Sequence, residues 1–200
     1  MSANNIKCRY CSSTTIKSIG GLGEMPPCGF FPDDPDQTRP NVDLSLFQCI
    51  KCDLVQLIPT NIALSDQYGE NYGYRSGLNP MMIKHLKTNA AQLLANENFD
   101  STSIILEIAA NDGTHLREFS KTGAKLIAID PTIKNWTKYY DFECLKIDKF
   151  FPCPELNEYL GKMDCIISHA CFYDLPDVKE FISGVSSLLK NGGKWCFEQI

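Results

Sequence analysis

Downstream of residue 100 the chain runs in short stretches that are mostly apolar rather than regularly alternating. They are Ser103 to Ile108, Lys125 to Ile129, Cys144 to Ile147, Met163 to Ser168 and Gly193 to Phe197. Strands of this kind are buried on both faces, as a parallel sheet covered by helices requires. Helical patterns separate the runs. The clearest carries Val178, Phe181, Ile182, Val185, Leu188 and Leu189, with Pro176 near its start and Gly192-Gly193 just past its end. Another helix is predicted before the first run, with Asn79 as N-cap, Pro80 at the first helical position, and Ile83, Leu86, Ala90, Leu93 and Leu94 on one face. The pattern predicts an α/β fold, a doubly wound parallel sheet over residues 101–200.

Upstream the pattern is different. Residues 1–60 read as a small lobe broken by Gly20-Gly21, Pro26-Pro27, Pro32, Pro35 and Pro40, with two short apolar runs, Leu44 to Cys49 and Leu54 to Ile58. Residues 61–100 hold a polar, aromatic-rich connector, Tyr68 to Gly77, and the helix after it.

Such a lobe buries little core, so the cysteines change the picture. The chain has 10 in 200 residues, and no apolar leader precedes them. A reducing, cytoplasmic setting is therefore expected, in which metal ligation explains paired cysteines better than disulfides do. Cys8-x-x-Cys11 and Cys49-x-x-Cys52 form two knuckles able to close a tetrahedral Zn²⁺ site. Four thiolates leave no open position, so the zinc is structural. Cys28 is expected to be a packed free thiol, and Asp33 to Asp36 a solvated loop.

The charge excludes one class of partner. Lys plus Arg is 19 against 24 Asp plus Glu, a formal net charge of −5, and no basic run offers a track for a phosphate backbone. No nucleic acid and no membrane partner is expected.

The second candidate site is the turn after the first buried strand, Glu107-Ile-Ala109-Ala110-Asn111-Asp112-Gly113-Thr114. In a doubly wound sheet a cofactor lies at the carboxyl ends of the strands, where strand order reverses. A dinucleotide loop needs Gly-x-Gly-x-x-Gly, whereas here one glycine stands among carboxylates that repel phosphate. Acidic groups suit the ammonium and sulfonium of S-adenosylmethionine. Asp130, which ends the next strand, is placed to accept ribose hydroxyls. The alternative is an ordinary strand-to-helix turn.

Methylation on carbon needs a base to take a proton, and an imidazole or phenol near the strand ends could serve; methylation on oxygen needs less. His169 follows the fourth strand directly and is expected to point into the cleft. Tyr173 and Asp174 share its loop, although Asp174 could equally start the next helix. His85 and His115 show no partner spacing and are expected to be surface or packing residues.

Taken in order, the two cysteine pairs, Leu54-Val-Gln-Leu57, Tyr72-Gly-Tyr74-Arg75-Ser76-Gly77, Glu107 to Thr114, and Phe172-Tyr-Asp-Leu-Pro176-Asp177 resemble the zinc-containing methyltransferases acting on nucleotide-linked deoxysugars. The resemblance implies a structural zinc lobe and a Rossmann-like, class I methyltransferase domain binding S-adenosylmethionine. Glu107, Ala109, Asn111, Asp112 and Gly113 would form the methionine-side loop, with His169 beside the cofactor. Asp130 would be the ribose ligand, and Asp148 with Phe150 and Phe151 the adenine side. Tyr72 and Tyr74 would lie over the active site, as catalytic candidates with His169 and Tyr173. Where this chain has Ala109 the family usually has glycine. Where it has Asp174, many sugar C-methyltransferases have histidine.

The expected function is methyl transfer to a nucleotide-linked sugar, on carbon or oxygen. The alternatives are methylation of another small hydroxyl compound and a non-catalytic zinc-containing binding module. The family's sheet has two more strands and a C-terminal domain, so the fold is expected to be incomplete at its C-terminus. A C-terminal segment or second chain would be needed for turnover.

Overall fold

The computed structural model describes residues 6–27, 34, 36–38, 40–58 and 62–199. The expectation for Cys28, and part of that for Asp33 to Asp36, lies outside them. The chain forms two compact units, Met1–Tyr72 with Leu175–Lys179, and Gly73–Asp174 with Glu180–Ile200. The division falls inside the aromatic connector.

In the first unit, strands β1 (Ile16–Met25), β2 (Val42–Cys49) and β3 (Val55–Leu57) make an antiparallel sheet in that order, and a short helix, α1, covers Leu64–Tyr68. The two apolar runs became β2 and β3. β1 went unread because Gly20-Gly21 looked like breakers. The sheet accommodates them at irregularities, with register shifts between Ser18 and Gly20 and between Gly21 and Glu24. Bulges are where a strand tolerates glycine.

The second unit holds α2 (Pro80–Asn96), β4 (Ile104–Ile108), β5 (Lys125–Ile129), α3 (Ile133–Trp136), β6 (Leu145–Ile147), β7 (Met163–His169), α4 (Val178–Leu188) from Glu180 onward, and β8 (Leu189–Glu198). The five strands are all parallel, in the spatial order β6-β5-β4-β7-β8. Strand order therefore reverses between β4 and β7, as in a doubly wound sheet.

Parity along the strands sorts the layers. Ile105, Leu126, Ala128, Cys165 and Ile167 pack with Ala90 of α2, together with Leu116 and Phe119. On the opposite face Trp195, paired with Ile166, lies against Phe181 of α4, ring centroids 5.9 Å apart. The two helices thus cover opposite faces.

Asn79 caps α2 as its sequence predicts, its side chain accepting from the Met81 N–H at 2.9 Å, with Pro80 in the first turn. The cap of α4 is a correction: Asp177, not Asp174, accepts from the Lys179 N–H at 3.0 Å, while Asp174 ends a 3₁₀ turn over Phe172–Asp174. The crossovers β4–β5 and β6–β7 are 3₁₀ turns, Leu116–Thr122 and Pro154–Tyr159, rather than full helices. Among the described residues no helix is long and apolar enough to cross a membrane.

Candidate functional site

The four knuckle cysteines converge. Cys8 Sγ lies 3.6 Å from Cys52 Sγ, and Cys11 Sγ 3.5 Å from Cys49 Sγ, with all four sulfurs within 4.8 Å of one another. Tetrahedral zinc with bonds of about 2.3 Å would hold its sulfurs about 3.8 Å apart. The donor set fits.

The two knuckles share one backbone pattern. The Ser12 N–H bonds to Cys8 O at 2.8 Å and the Cys8 N–H to Ser13 O at 2.8 Å; likewise Asp53 N–H to Cys49 O at 2.9 Å and Cys49 N–H to Leu54 O at 2.8 Å. Ser12 and Asp53, the fifth residue of each, both take left-handed backbone, φ 61° and 60°. Burial opposes ionisation of Cys8, yet N–H groups of Cys11 and Tyr10 and the neighbouring thiols lower its pKa to about 6. Thiolate is the form that ligates metal. Gln56, buried in the middle of β3, joins the first knuckle to the sheet: its Oε1 accepts from the Arg9 N–H at 2.9 Å and its Nε2 donates to Lys7 O at 3.1 Å.

The second site forms at the carboxyl ends of β4, β5 and β7. After β4 the backbone passes through left-handed conformations at Ala109, Asn111 and Gly113, φ 58°, 50° and 73°. Glycine is required at 113, because a Cβ there would stand 2.7 Å from the Tyr140 ring. Tyr140 in turn donates its hydroxyl to Asn111 O at 2.8 Å. Asp130 Oδ2 accepts the Asn111 N–H at 3.0 Å, and its Oδ1 accepts from Thr132 N and Oγ1 at 2.7 and 2.5 Å. Burial pushes the Asp130 pKa up, against those hydrogen bonds. A carboxylate has about four acceptor sites, so about one is left for an added hydroxyl.

Asn111 and Asp112 are engaged elsewhere than expected. Asn111 Oδ1 accepts the Ser76 N–H at 2.9 Å and its Nδ2 donates to Tyr74 O at 3.0 Å. Asp112 Oδ2 accepts from Arg75 and from the Gly77 N–H, and its Oδ1 from Thr114 N and Oγ1. All its acceptor sites are filled. These side chains stitch the end of the connector onto the loop, and Arg75 also lies over the Tyr139 ring at 4.0 Å.

His115 is a further correction. Expected at the surface or in packing without a partner, it is buried, with Nδ1 3.2 Å from Glu107 Oε1 and its ring edge-on to His169 at 4.4 Å. His169 Nδ1 lies 3.8 Å from the same oxygen, and the His169 ring is 18% exposed. Burial raises the Glu107 pKa, but the two imidazoles outweigh it and the net direction is down. With a side chain only 5% exposed, Glu107 underlies the loop rather than lining it. His85, on α2, pairs with Glu198 at 2.8 Å.

Asp148 and Phe150 follow the carboxyl end of β6, Asp148 exposed and Phe150 half-buried, while Phe151 packs edge-on to Phe181 at 5.0 Å. Tyr173 and Tyr74 are exposed, at 45% and 43%. Tyr72 belongs to the first unit, where it meets Tyr68 edge-on at 5.1 Å.

The Methyltransf_13 family model, described as "Putative zinc binding domain", matches residues 8–60. Over 198 residues the chain is 23% identical to the C-methyltransferase NovU of Streptomyces niveus, covering 96% of this chain and 46% of that protein. The chain thus spans less than half the length of this relative. Among solved structures it is similar to the YcgJ protein of Bacillus subtilis, with 17% identity, 55% of this chain and 49% of that one covered, and a TM-score of 0.48. It is also similar to a SAM-dependent methyltransferase of Aquifex aeolicus, with 17% identity, 56% and 68% covered, and a TM-score of 0.42. The chain is homologous to a C-methyltransferase, and its four converging cysteines fall inside the matched zinc-binding domain.

Proposed function

We propose that this chain is the cofactor-binding part of an S-adenosylmethionine-dependent methyltransferase whose acceptor is a nucleotide-linked sugar, methylated on carbon. The observation that carries the reading is the loop after β4, at the reversal of strand order. Its three left-handed residues, Ala109, Asn111 and Gly113, turn the chain sharply at the carboxyl end of the strand, and Asp130 on the neighbouring strand is tied to it. The homology to a C-methyltransferase supports the reaction class, and the sequence resemblance supports the sugar acceptor.

In this reading the backbone of Ala109 to Gly113 receives the methionine end, the remaining acceptor position of Asp130 takes one ribose hydroxyl, and Asp148 with Phe150 borders the adenine. The bound cofactor supplies an electrophilic methyl group. The chain must then hold the acceptor and remove a proton. Tyr173 follows the end of β7 on the loop after it, and Tyr74 sits on the stitched connector; these are the candidates for that work. The zinc lobe, with its closed thiolate site, has a structural role.

Calorimetry with S-adenosylhomocysteine tests the reading. Binding to the parent chain, weakened in Asp130→Ala by about 1 to 3 kcal/mol, is expected. No binding to the parent overturns the cofactor assignment, and parent-like affinity in Asp130→Ala removes the ribose role. Methyl transfer from labelled S-adenosylmethionine to a panel of nucleotide sugars, by the chain within its full-length protein, tests the acceptor.

A further inference from the structure

We infer that Glu107, His115 and His169 form a second metal site, separate from the cysteine site, for a divalent first-row transition ion. One ligand atom from each lies within 4.8 Å of the others. Glu107 and His115 belong to one strand-and-turn segment, and the sheet brings the distant His169 to them. Glu107 pairs with Ile167 in the parallel β4–β7 register, so His169, two residues further on, projects from the same face. His115 reaches the same place from the start of the 3₁₀ turn after the loop.

The polar atoms here are sealed and unsatisfied. Glu107 and His115 side chains are 5% and 2% exposed. Glu107 Oε2, both ring nitrogens of His115, and His169 Nδ1 are buried with no hydrogen-bond partner. The 3.2 Å approach of His115 Nδ1 to Glu107 is therefore close without being aligned as a hydrogen bond. Burying such groups without partners costs about 1 to 3 kcal/mol each, and native proteins seldom leave them so.

An ion pair does not resolve the geometry. Both imidazoles turn Nδ1 toward one carboxylate oxygen, at 3.2 and 3.8 Å, with rings 4.4 Å apart. Two imidazolium ions that close would repel, and one alone leaves the second ring unsatisfied. A single cation bound at about 2.1 Å would hold neighbouring donors about 3.0 to 3.4 Å apart, which matches the 3.2 Å of His115 and asks His169, at 3.8 Å, to close in by about half an ångström. Two imidazoles and a carboxylate suit zinc or iron and leave coordination positions open. Of the three residues His169 is the most exposed, so those positions face its side, where an oxygen ligand could enter.

The test uses the chain loaded with a single equivalent of zinc, which the four thiolates take up first, and then titrated with Co²⁺. One equivalent of cobalt per chain is expected, with weak d–d absorption and no thiolate-to-cobalt charge-transfer band. Hyperfine-shifted imidazole N–H resonances from two histidines should identify the ligands in the parent chain without any substitution. His115→Gln and His169→Gln should each lose the cobalt and keep the zinc. No uptake by the parent, meaning that water or an ion pair fills the cluster, overturns the site. So does a thiolate band, fewer than two shifted imidazoles, or cobalt retained in either folded variant. S-Adenosylhomocysteine calorimetry on the same samples reports the cofactor reading separately, so the failure of one is distinguishable from failure of the other.

Discussion

Asp112 Oδ2 accepts the Gly77 N–H at 3.0 Å, and a Cβ placed on Gly77 would stand 2.5 Å from that same oxygen. The connector approaches the loop after β4 so closely that only glycine fits. Arg75 Nη1 and Thr114 Oγ1 would also lie 2.8 Å from such a Cβ. Gly77 and Asp112 are 35 residues apart, and their contact sets where the connector crosses the switch-point loop.

Gly77→Ala should therefore force the connector off Asp112, breaking the Gly77 and Arg75 bonds together. Loss of a buried charge-assisted pair and of a backbone bond is expected to destabilise the second unit by about 2 to 4 kcal/mol. Urea unfolding monitored at Trp136 and Trp195 measures it. A midpoint equal to the parent's would mean that the stitch contributes nothing.

Ala109 carries a side chain at φ 58°, where glycine is at ease. Ala109→Gly relieves about 1 to 2 kcal/mol of left-handed strain and loses about 0.4 to 1 kcal/mol through a freer unfolded chain. A net gain near 0.5 kcal/mol is expected. Ala109→Val, β-branched at the same φ, should lose more than about 1 kcal/mol. Comparing the two unfolding curves checks the sign; a loss of stability in Ala109→Gly would contradict the strained loop.

The zinc lobe is expected to depend on Gln56. In Gln56→Leu the Arg9 N–H and the Lys7 carbonyl lose their partners, at about 1 to 3 kcal/mol. The first knuckle should then open more often, and zinc should pass to a chromophoric chelator faster than from the parent. Gln56→Glu keeps the acceptor for Arg9 but turns a carboxylate oxygen toward the Lys7 carbonyl, so its release rate should exceed the parent's too. Equal rates in all three proteins would remove Gln56 from the account.

Metal removal should unfold one unit only. Cys49→Ser breaks the four-thiolate set, and in a lobe with little core the metal supplies folding free energy directly. Amide protection in β1, β2 and β3 should be lost while that in β4 and β5 persists, read by hydrogen exchange. Zinc retained in the variant at the parent's stoichiometry would refute the ligand set.

Much of this was legible in the sequence, for a definite physical reason. Short, mostly apolar runs marked the five strands; β4, β5 and β7 are buried nearly throughout, whereas β6 and β8, at the two ends of the strand order, carry exposed positions that the runs did not reveal. Doubled Cys-x-x-Cys spacing is equally local, because each knuckle closes on itself through hydrogen bonds four and five residues long. Asn79 and Pro80 marked the start of α2 by local backbone chemistry alone. The strand β1 escaped because bulges let Gly20 and Gly21 lie within a sheet, and the partner strand that makes this tolerable is distant in sequence. What the site residues do was decided by tertiary structure. Asn111 and Asp112 looked like cofactor contacts until the connector, some 35 residues upstream, filled their hydrogen bonds. His115 had no readable partner, because the turn after β4 folds it back onto Glu107 and His169 arrives only through the parallel register of β4 and β7. Local chemistry specifies elements and knuckles; a polar side chain's role depends on which distant groups the sheet brings within hydrogen-bonding reach.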